Sequence, residues 1–217
     1  MSNSTDDKRP EDTQAIELAD KKANAQKFLD DNVTRCFWAT HDEQEALYHD
    51  NEWGVPVHDD KKLFEFLLLE NFQAGLTWKM ILHRRQGFRQ AFDNFNYRKI
   101  AGYNKEKINE LMQNTDIIRN KLKIRSAITN AQAYIGIRQE FGTFDKYIWS
   151  FTDGQPIVNT WKTHKEIPSQ TELSDTLSID LKNRGFKFVG SIICYAFMQA
   201  IGMVNDHTTD CFRYHQV

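Results

Sequence analysis

The 217-residue chain has only three cysteines, Cys36, Cys194 and Cys211. That is too few for a disulfide framework in a chain of this length, and it suits a reducing cytoplasm. Positive charge is not in excess either. With 28 basic against 30 acidic residues the net charge is −2, so no whole-molecule basic field advertises a polyanionic partner. The charge is unevenly spread: residues 1–32 hold five basic and eight acidic side chains, net −3, which leaves 23 basic and 22 acidic after them, net +1. Any basic face must therefore be local. The N-terminus is polar and acidic, without the plan of a secretory signal. Residues 188–204 contain no charge, fall just short of a membrane span, and include Ser191, Gln199 and two glycines. They read as a buried helix, with no role at a membrane. Repeats and low-complexity tracts are absent.

What is present reads as an all-α protein. Residues 1–33 form a polar N-terminal extension, disordered at first and helix-prone over 11–31; residues 34–217 form one helical domain. Asp42-Glu43-Gln44-Glu45 is a helix start. Asp59-Asp60 caps an apolar helix running through Leu63 to Asn71, and shorter helices follow over Thr77–Arg84 and Gln86–Phe92. Asn104 caps Lys105–Gln113. Ile124, Ala127, Ile128, Ala131, Tyr134 and Ile135 mark a long helix over Asn120–Glu140, and Thr143 caps Asp145–Ser150. Residues 152–168 are the one place where β-structure is expected. A helix over Ser174–Asn183, a tight connection from Gly185 to Gly190, and the uncharged helix from near Ser191 complete the chain.

Three constellations carry chemistry. The first is Glu70-Asn71-Phe72-Gln73-Ala74-Gly75-Leu76-Thr77-Trp78, which places a carboxylate at the end of an apolar run, then a glycine bend, then a large ring. A carboxylate there is costly to bury without a partner or a task. With Trp38, Tyr48 and Trp53 it suggests a pocket for a flat, electron-poor ligand; a satisfied glutamate in an ordinary helical turn is the alternative. The second is helix, Gly185-x-x-x-x-Gly190, helix, in the layout of a helix-hairpin-helix. Free amides at the second helix start can face a phosphate, with Lys182, Arg184 and Lys187 nearby. A plain αα-turn has the same pattern. The basic run Arg119–Arg125 either flanks the same duplex or is a solvated helix start. The third is His207-x-x-x-Cys211, whose i, i+4 spacing would put two ligands on one helical face. With Cys36 and His49 it makes a Cys2His2 set suited to tetrahedral zinc, against simple packing as the other reading. Cys194 reads as a small core residue, and Asp206 as structural.

Taken together, Tyr48-His49-Asp50-Asn51-Glu52-Trp53-Gly54-Val55-Pro56, Glu70-x-x-Gln73-Ala74-Gly75-Leu76-Thr77-Trp78, Arg184-Gly185-Phe186-Lys187-Phe188-Val189-Gly190 and Val204-Asn205-Asp206-His207 resemble the bacterial 3-methyladenine DNA glycosylase I family, in the family's order, from about Cys36 to Tyr214. The resemblance implies a helix-hairpin-helix glycosylase fold whose N- and C-terminal regions are stapled by one structural zinc on Cys36, His49, His207 and Cys211. It implies a base-excision repair enzyme that acts as a monomer on double-stranded DNA containing alkylated adenine, hydrolysing the N-glycosidic bond of 3-methyladenine without cutting the strand. Glu70 and Tyr48 would contact the extruded base, Trp78 would stack on it, and Trp53 and Trp38 would line the pocket. Gly75 and Leu76 would lie against the gap in the duplex, and Gly185, Lys187 and Gly190 would meet its backbone. Two departures stand out. Glu45 occupies a position that is usually aromatic in the family, and Thr77 replaces a serine. The rival readings are a catalytically idle helix-hairpin-helix DNA-binding module and a zinc-stapled interaction domain without DNA binding.

Overall fold

The computed structural model describes residues 32–217. The helix-prone stretch over 11–31 therefore lies outside the described residues. Ten α-helices and two very short strands make up the described part: α1 (Glu43–Asn51), α2 (Asp60–Gln73), α3 (Trp78–Leu82), α4 (Arg85–Ala91), α5 (Tyr97–Ile100), α6 (Lys105–Gln113), α7 (Lys121–Phe141), α8 (Phe144–Trp149), β1 (Ile157–Val158), α9 (Glu172–Asn183), α10 (Ser191–Ala200) and β2 (Val204–Asn205).

Helix starts follow local capping chemistry. Asp42 accepts from the Gln44 and Glu45 amides, Asp59 from Lys62, Asn104 from Lys107, Asn120 from Leu122 and Lys123, and Thr143 from Lys146. Helix α9 begins two residues earlier than expected. Thr171 and Ser174 form a reciprocal capping box there, so Glu172 and Leu173 are already helical. The short helix α5 was not expected from the sequence; Asn96 caps it through the Arg98 and Lys99 amides.

Helix α2 is the axis of the molecule. All ten residues from Leu63 to Phe72 are buried, as a helix enclosed on every side requires. Helices α3, α7, α8 and α10 pack on it, and α9 packs on α10. The uncharged run 188–204 forms only the ten-residue α10, followed by a turn and β2, and no described helix is long and apolar enough to cross a membrane. Strand β1 falls inside the expected segment. Its partner is β2, in parallel register with Ile157 opposite Val204.

Candidate base pocket, hairpin and metal centre

Glu70 is on the last turn but one of α2, and its fate contrasts with that of Glu65 on the same helix. Glu65 is buried and accepts from Arg85 at 2.8 Å and Arg89 at 2.9 Å. Arg85 also grips Glu52 in a bidentate pair at 2.7 Å. A cleft of about 580 Å³ runs along this network, but its charged walls are already paired with one another. Glu70 is only 3% exposed and has no hydrogen-bond or ion-pair partner among the described residues. Burial alone pushes its carboxyl up to about 8.

The reason Glu70 lacks a partner is that it faces a cavity. This cavity, about 390 Å³, is lined by Trp38, Tyr48, Trp53 and Trp78, with Glu45, Gln73 and Gln199 among its polar members. Four buried polar atoms in it find no hydrogen bond among the described residues: Glu70 Oε2, Tyr48 Oη, Gln73 Oε1 and Trp78 Nε1. Orphans of this kind are rare in a folded protein, and four converging on one cavity mark it as a place for a polar ligand. Tyr48 and Trp78 stand 5.0 Å apart, and the Trp38 ring meets Trp53 edge-on at 5.2 Å. Burial first, and then the neighbouring Glu70, keep the Tyr48 hydroxyl protonated. At the rim, exposed Phe37 stacks on His164 at 4.6 Å. Gln73, Gln199, Phe37 and His164 were not foreseen from the sequence.

The bend after α2 brings the remaining parts close. Gly75 has φ +75, and the Leu76 amide closes the turn on the Gln73 carbonyl at 2.6 Å. Lys123, expected to be a member of an exposed basic cluster, is instead buried. Its ammonium donates to the Phe72 and Ala74 carbonyls at 2.8 and 2.6 Å, closing the C-terminal end of α2. Arg119, Lys121 and Arg125 remain exposed.

The hairpin between α9 and α10 turns at Gly185, φ +96, and Gly190 is the N-cap of α10. Lys182 and Lys187 are exposed, but Arg184 is spent on Asp180 and Glu140, each at 2.7 Å. Phe188 holds a left-handed φ of +55, costly for a residue with a Cβ. Two buried asparagines hold the loop in place. Asn130 accepts from the Lys187 amide at 2.7 Å and donates to its carbonyl at 3.0 Å; Asn71, next to Glu70, donates to the Phe188 carbonyl at 3.0 Å. Asn130 also donates to Asn71 at 2.6 Å. Pocket and hairpin are thus parts of one hydrogen-bonded unit. Replacing Asn130 with alanine is expected to destabilise the protein by roughly 2–4 kcal/mol, because several buried groups lose partners together. Denaturant unfolding measures this. Duplex-DNA affinity should fall at the same time, while free-base binding changes little.

Cys36, His49, His207 and Cys211 converge in the core, with their ligand atoms within 4.8 Å of one another and all four residues buried. The spacing of His207 and Cys211 was expected to be helical. Instead they lie in a turn, in which the Cys211 amide donates to the Thr208 carbonyl at 2.8 Å. The outer hydrogen bonds assign the tautomers. His49 Nδ1 donates to Asp50 at 2.8 Å, leaving Nε2 as acceptor; His207 Nε2 donates to the Trp53 carbonyl at 3.2 Å, leaving Nδ1 as acceptor. Those two lone pairs then face each other at 3.2 Å, with the Cys211 sulfur 3.4 Å from one and 3.5 Å from the other. Two lone pairs and two sulfurs pointing at one point fit a soft divalent cation. Asp206, beside this site, is no candidate base. It is buried and accepts four hydrogen bonds, from Asn159, Trp161, Tyr195 and Gln199.

The family model described as methyladenine glycosylase matches residues 38–214. DNA-3-methyladenine glycosylase 1 of Escherichia coli K12 is 48% identical over 182 residues, covering 84% of this chain and 97% of the relative. A crystal structure of 3-methyladenine DNA glycosylase I superposes with a TM-score of 0.80 at 47% identity, over 82% of this chain and 98% of the other. A variant of a 3-methyladenine DNA glycosylase I, solved in complex with 3-methyladenine, gives a TM-score of 0.80 at 33% identity, over 82% and 96%. The chain belongs to the methyladenine glycosylase family.

Proposed function

We infer that this chain is a base-excision repair enzyme that hydrolyses the N-glycosidic bond of 3-methyladenine in alkylated DNA. The observation that carries the reading is the set of four unpartnered polar atoms inside an aromatic cavity, tied through Asn71 and Asn130 to a helix-hairpin-helix loop. A nucleotide must leave the duplex to enter such a cavity, at a cost of a few kcal/mol that is smaller for damaged pairs. In this reading the Leu76 side chain, presented by the Gly75 bend, occupies the gap left behind. The amides at Gly185 and Gly190 and the exposed Lys187 hold the backbone.

N3-methylation makes the adenine cationic, so its bond to the sugar is already weakened. Water adds to the sugar carbon and releases a proton to solvent, the base departs with the electron pair of the broken bond and becomes neutral, and an abasic site remains. The protein's share is to extrude, orient and discriminate. Trp78 stacks on the base, Tyr48, Trp53 and Trp38 enclose it, and Glu70 accepts hydrogen bonds from its edge. Cys36, His49, His207 and Cys211 would hold one structural zinc, which joins the segment at Cys36 to the segment at His207–Cys211 and supplies no chemistry to the reaction. The protein acts as a cytoplasmic monomer.

The direct test incubates the protein with methylated duplex DNA and separates the released bases; free 3-methyladenine is expected. Its absence, with DNA affinity retained, would leave an idle DNA-binding module. Among the described residues no lysine lines the cavity and offers an amine to attack the sugar. Borohydride treatment during turnover is accordingly expected to trap no covalent protein–DNA adduct, and a trapped adduct would overturn the hydrolytic assignment.

A further inference from the structure

The cavity holds a second carboxylate that the roles above leave unused. Glu45 is on α1, one turn ahead of Tyr48, half-buried and among the residues lining the cavity. Its carboxylate has no hydrogen-bond or ion-pair partner among the described residues. The basic side chains nearest it do not pair with it: Lys79 and His83 both bind Asp42, at 2.9 and 3.0 Å, and His41 bonds the Thr40 hydroxyl at 3.3 Å. Burial first, and then the adjacent Asp42, push the Glu45 carboxyl up, against an opposing pull from Lys79, His83 and His41. Among the described residues the cavity lining contains two carboxylates, one histidine (His164, stacked on Phe37) and no lysine or arginine. An acid at this mouth opposes the approach of a polyanionic backbone, so it does not serve general DNA affinity.

We propose that Glu45 is a specificity-determining residue that selects for the positive charge of the alkylated base at the pocket mouth, against neutral purines of the same shape. The inference rests on the assignment of this cavity as the base pocket. The division of labour follows from depth. Glu70, enclosed and carrying its proton easily, reads the hydrogen-bonding edge of whatever base enters. Glu45, partly in water, is the carboxylate whose charge is not suppressed by full burial, and it acts on a base by charge without shaping it. Glu45 is in the first turn of α1, where a negative charge also suits the helix start, but its carboxylate is left without a partner at the cavity, and such a charge stabilises one ligand charge state and leaves its neutral isostere unaided.

The test compares two probes by quenching of tryptophan fluorescence, since Trp38, Trp53 and Trp78 line the cavity. One is 3,9-dimethyladeninium, which carries a fixed positive charge. The other is 3-deaza-3,9-dimethyladenine at pH 8, of the same outline and neutral. The wild-type protein is expected to prefer the cation. Glu45→Gln should weaken cation binding about threefold, the size appropriate to a partly exposed charge pair, and leave the neutral probe unchanged. Glu45→Lys should reduce the cation preference further, by roughly tenfold against wild type, and 0.5 M salt should shrink both effects. Equal changes for the two probes, or an unchanged preference in both variants, would overturn the role of Glu45 while leaving the pocket intact. Wild-type protein that binds neither probe would overturn the pocket assignment itself, and this inference with it.

Discussion

Glu70→Gln is expected to cut excision of 3-methyladenine by at least about a hundredfold and, in the same protein, to raise the stability of the empty fold. The two effects have one cause. Burial without a partner raises the Glu70 carboxyl from the ordinary 4.5 to about 8, so the folded protein holds a proton there that the unfolded chain does not. The sign follows directly. Below about pH 4.5 both states are protonated and Glu70 costs nothing. As pH rises from 4.5 towards 8 the unfolded chain gains by ionising, and stability is lost over that window. At pH 7 the penalty is on the order of 3 kcal/mol, at about 1.4 kcal/mol for each pH unit above 4.5. Glutamine keeps the shape without the ionisation. The variant should therefore melt higher than wild type at pH 7, with the difference fading near pH 4.5. When the cationic base enters, Glu70 is expected to give up its proton and accept with both oxygens, whereas the glutamine amide has one acceptor and must turn an N–H towards a base edge that itself donates. A variant that excises normally, or one that melts lower at pH 7, would show that Glu70 is a structural residue.

This single group also shows what a sequence discloses and what it hides. The apolar run before Glu70 announces an enclosed helix, and Glu70 at its end is legible as an anomaly. The rings of Tyr48, Trp53 and Trp78 are legible as partners because each sits in a short polar-aromatic motif. Caps are legible too: Asp42, Asp59, Asn104, Asn120 and Thr143 act on amides two or three residues ahead. What escapes is polar chemistry between distant residues. Asn130 binds Lys187, 57 residues away, and Lys123 reaches back 51 residues to Phe72; in sequence one is an unremarked helical asparagine and the other a member of a basic run. Gln199 enters the pocket for the same reason, unseen. The His207–Cys211 spacing fits a helix on paper, yet Asp206 is fixed by four donors and the chain runs on as a turn, which brings both ligands inward without helical geometry.

Loss of the proposed zinc is expected to cause the largest fall in stability. Metal analysis should find about one zinc per chain. His207→Ala should abolish it and lower unfolding free energy on the order of 5 kcal/mol, since the remaining two sulfurs and the His49 lone pair stay buried with nothing to bind. The effect extends beyond the four ligands. The cluster ties the segment at Cys36 to the C-terminus, where the Phe212 amide already donates to the Thr34 carbonyl at 2.9 Å. It also fixes the pocket wall: His49 follows Tyr48 on α1, the Trp53 carbonyl takes the His207 proton, and the Trp53 ring lies 4.6 Å from His207 and 6.1 Å from His49. Free-base affinity should thus fall together with melting temperature. Asp50→Asn gives a graded version. Asp50 orients His49 and is itself held by Arg35 at 2.8 Å, so its replacement leaves all four ligands but weakens their grip, with metal affinity down about 10–100-fold and the fold retained in excess zinc. Excess zinc should restore both the melting temperature and base binding in Asp50→Asn, and neither in His207→Ala. Chelator-treated protein that melts and binds base like the untreated protein would reduce the cluster to packing.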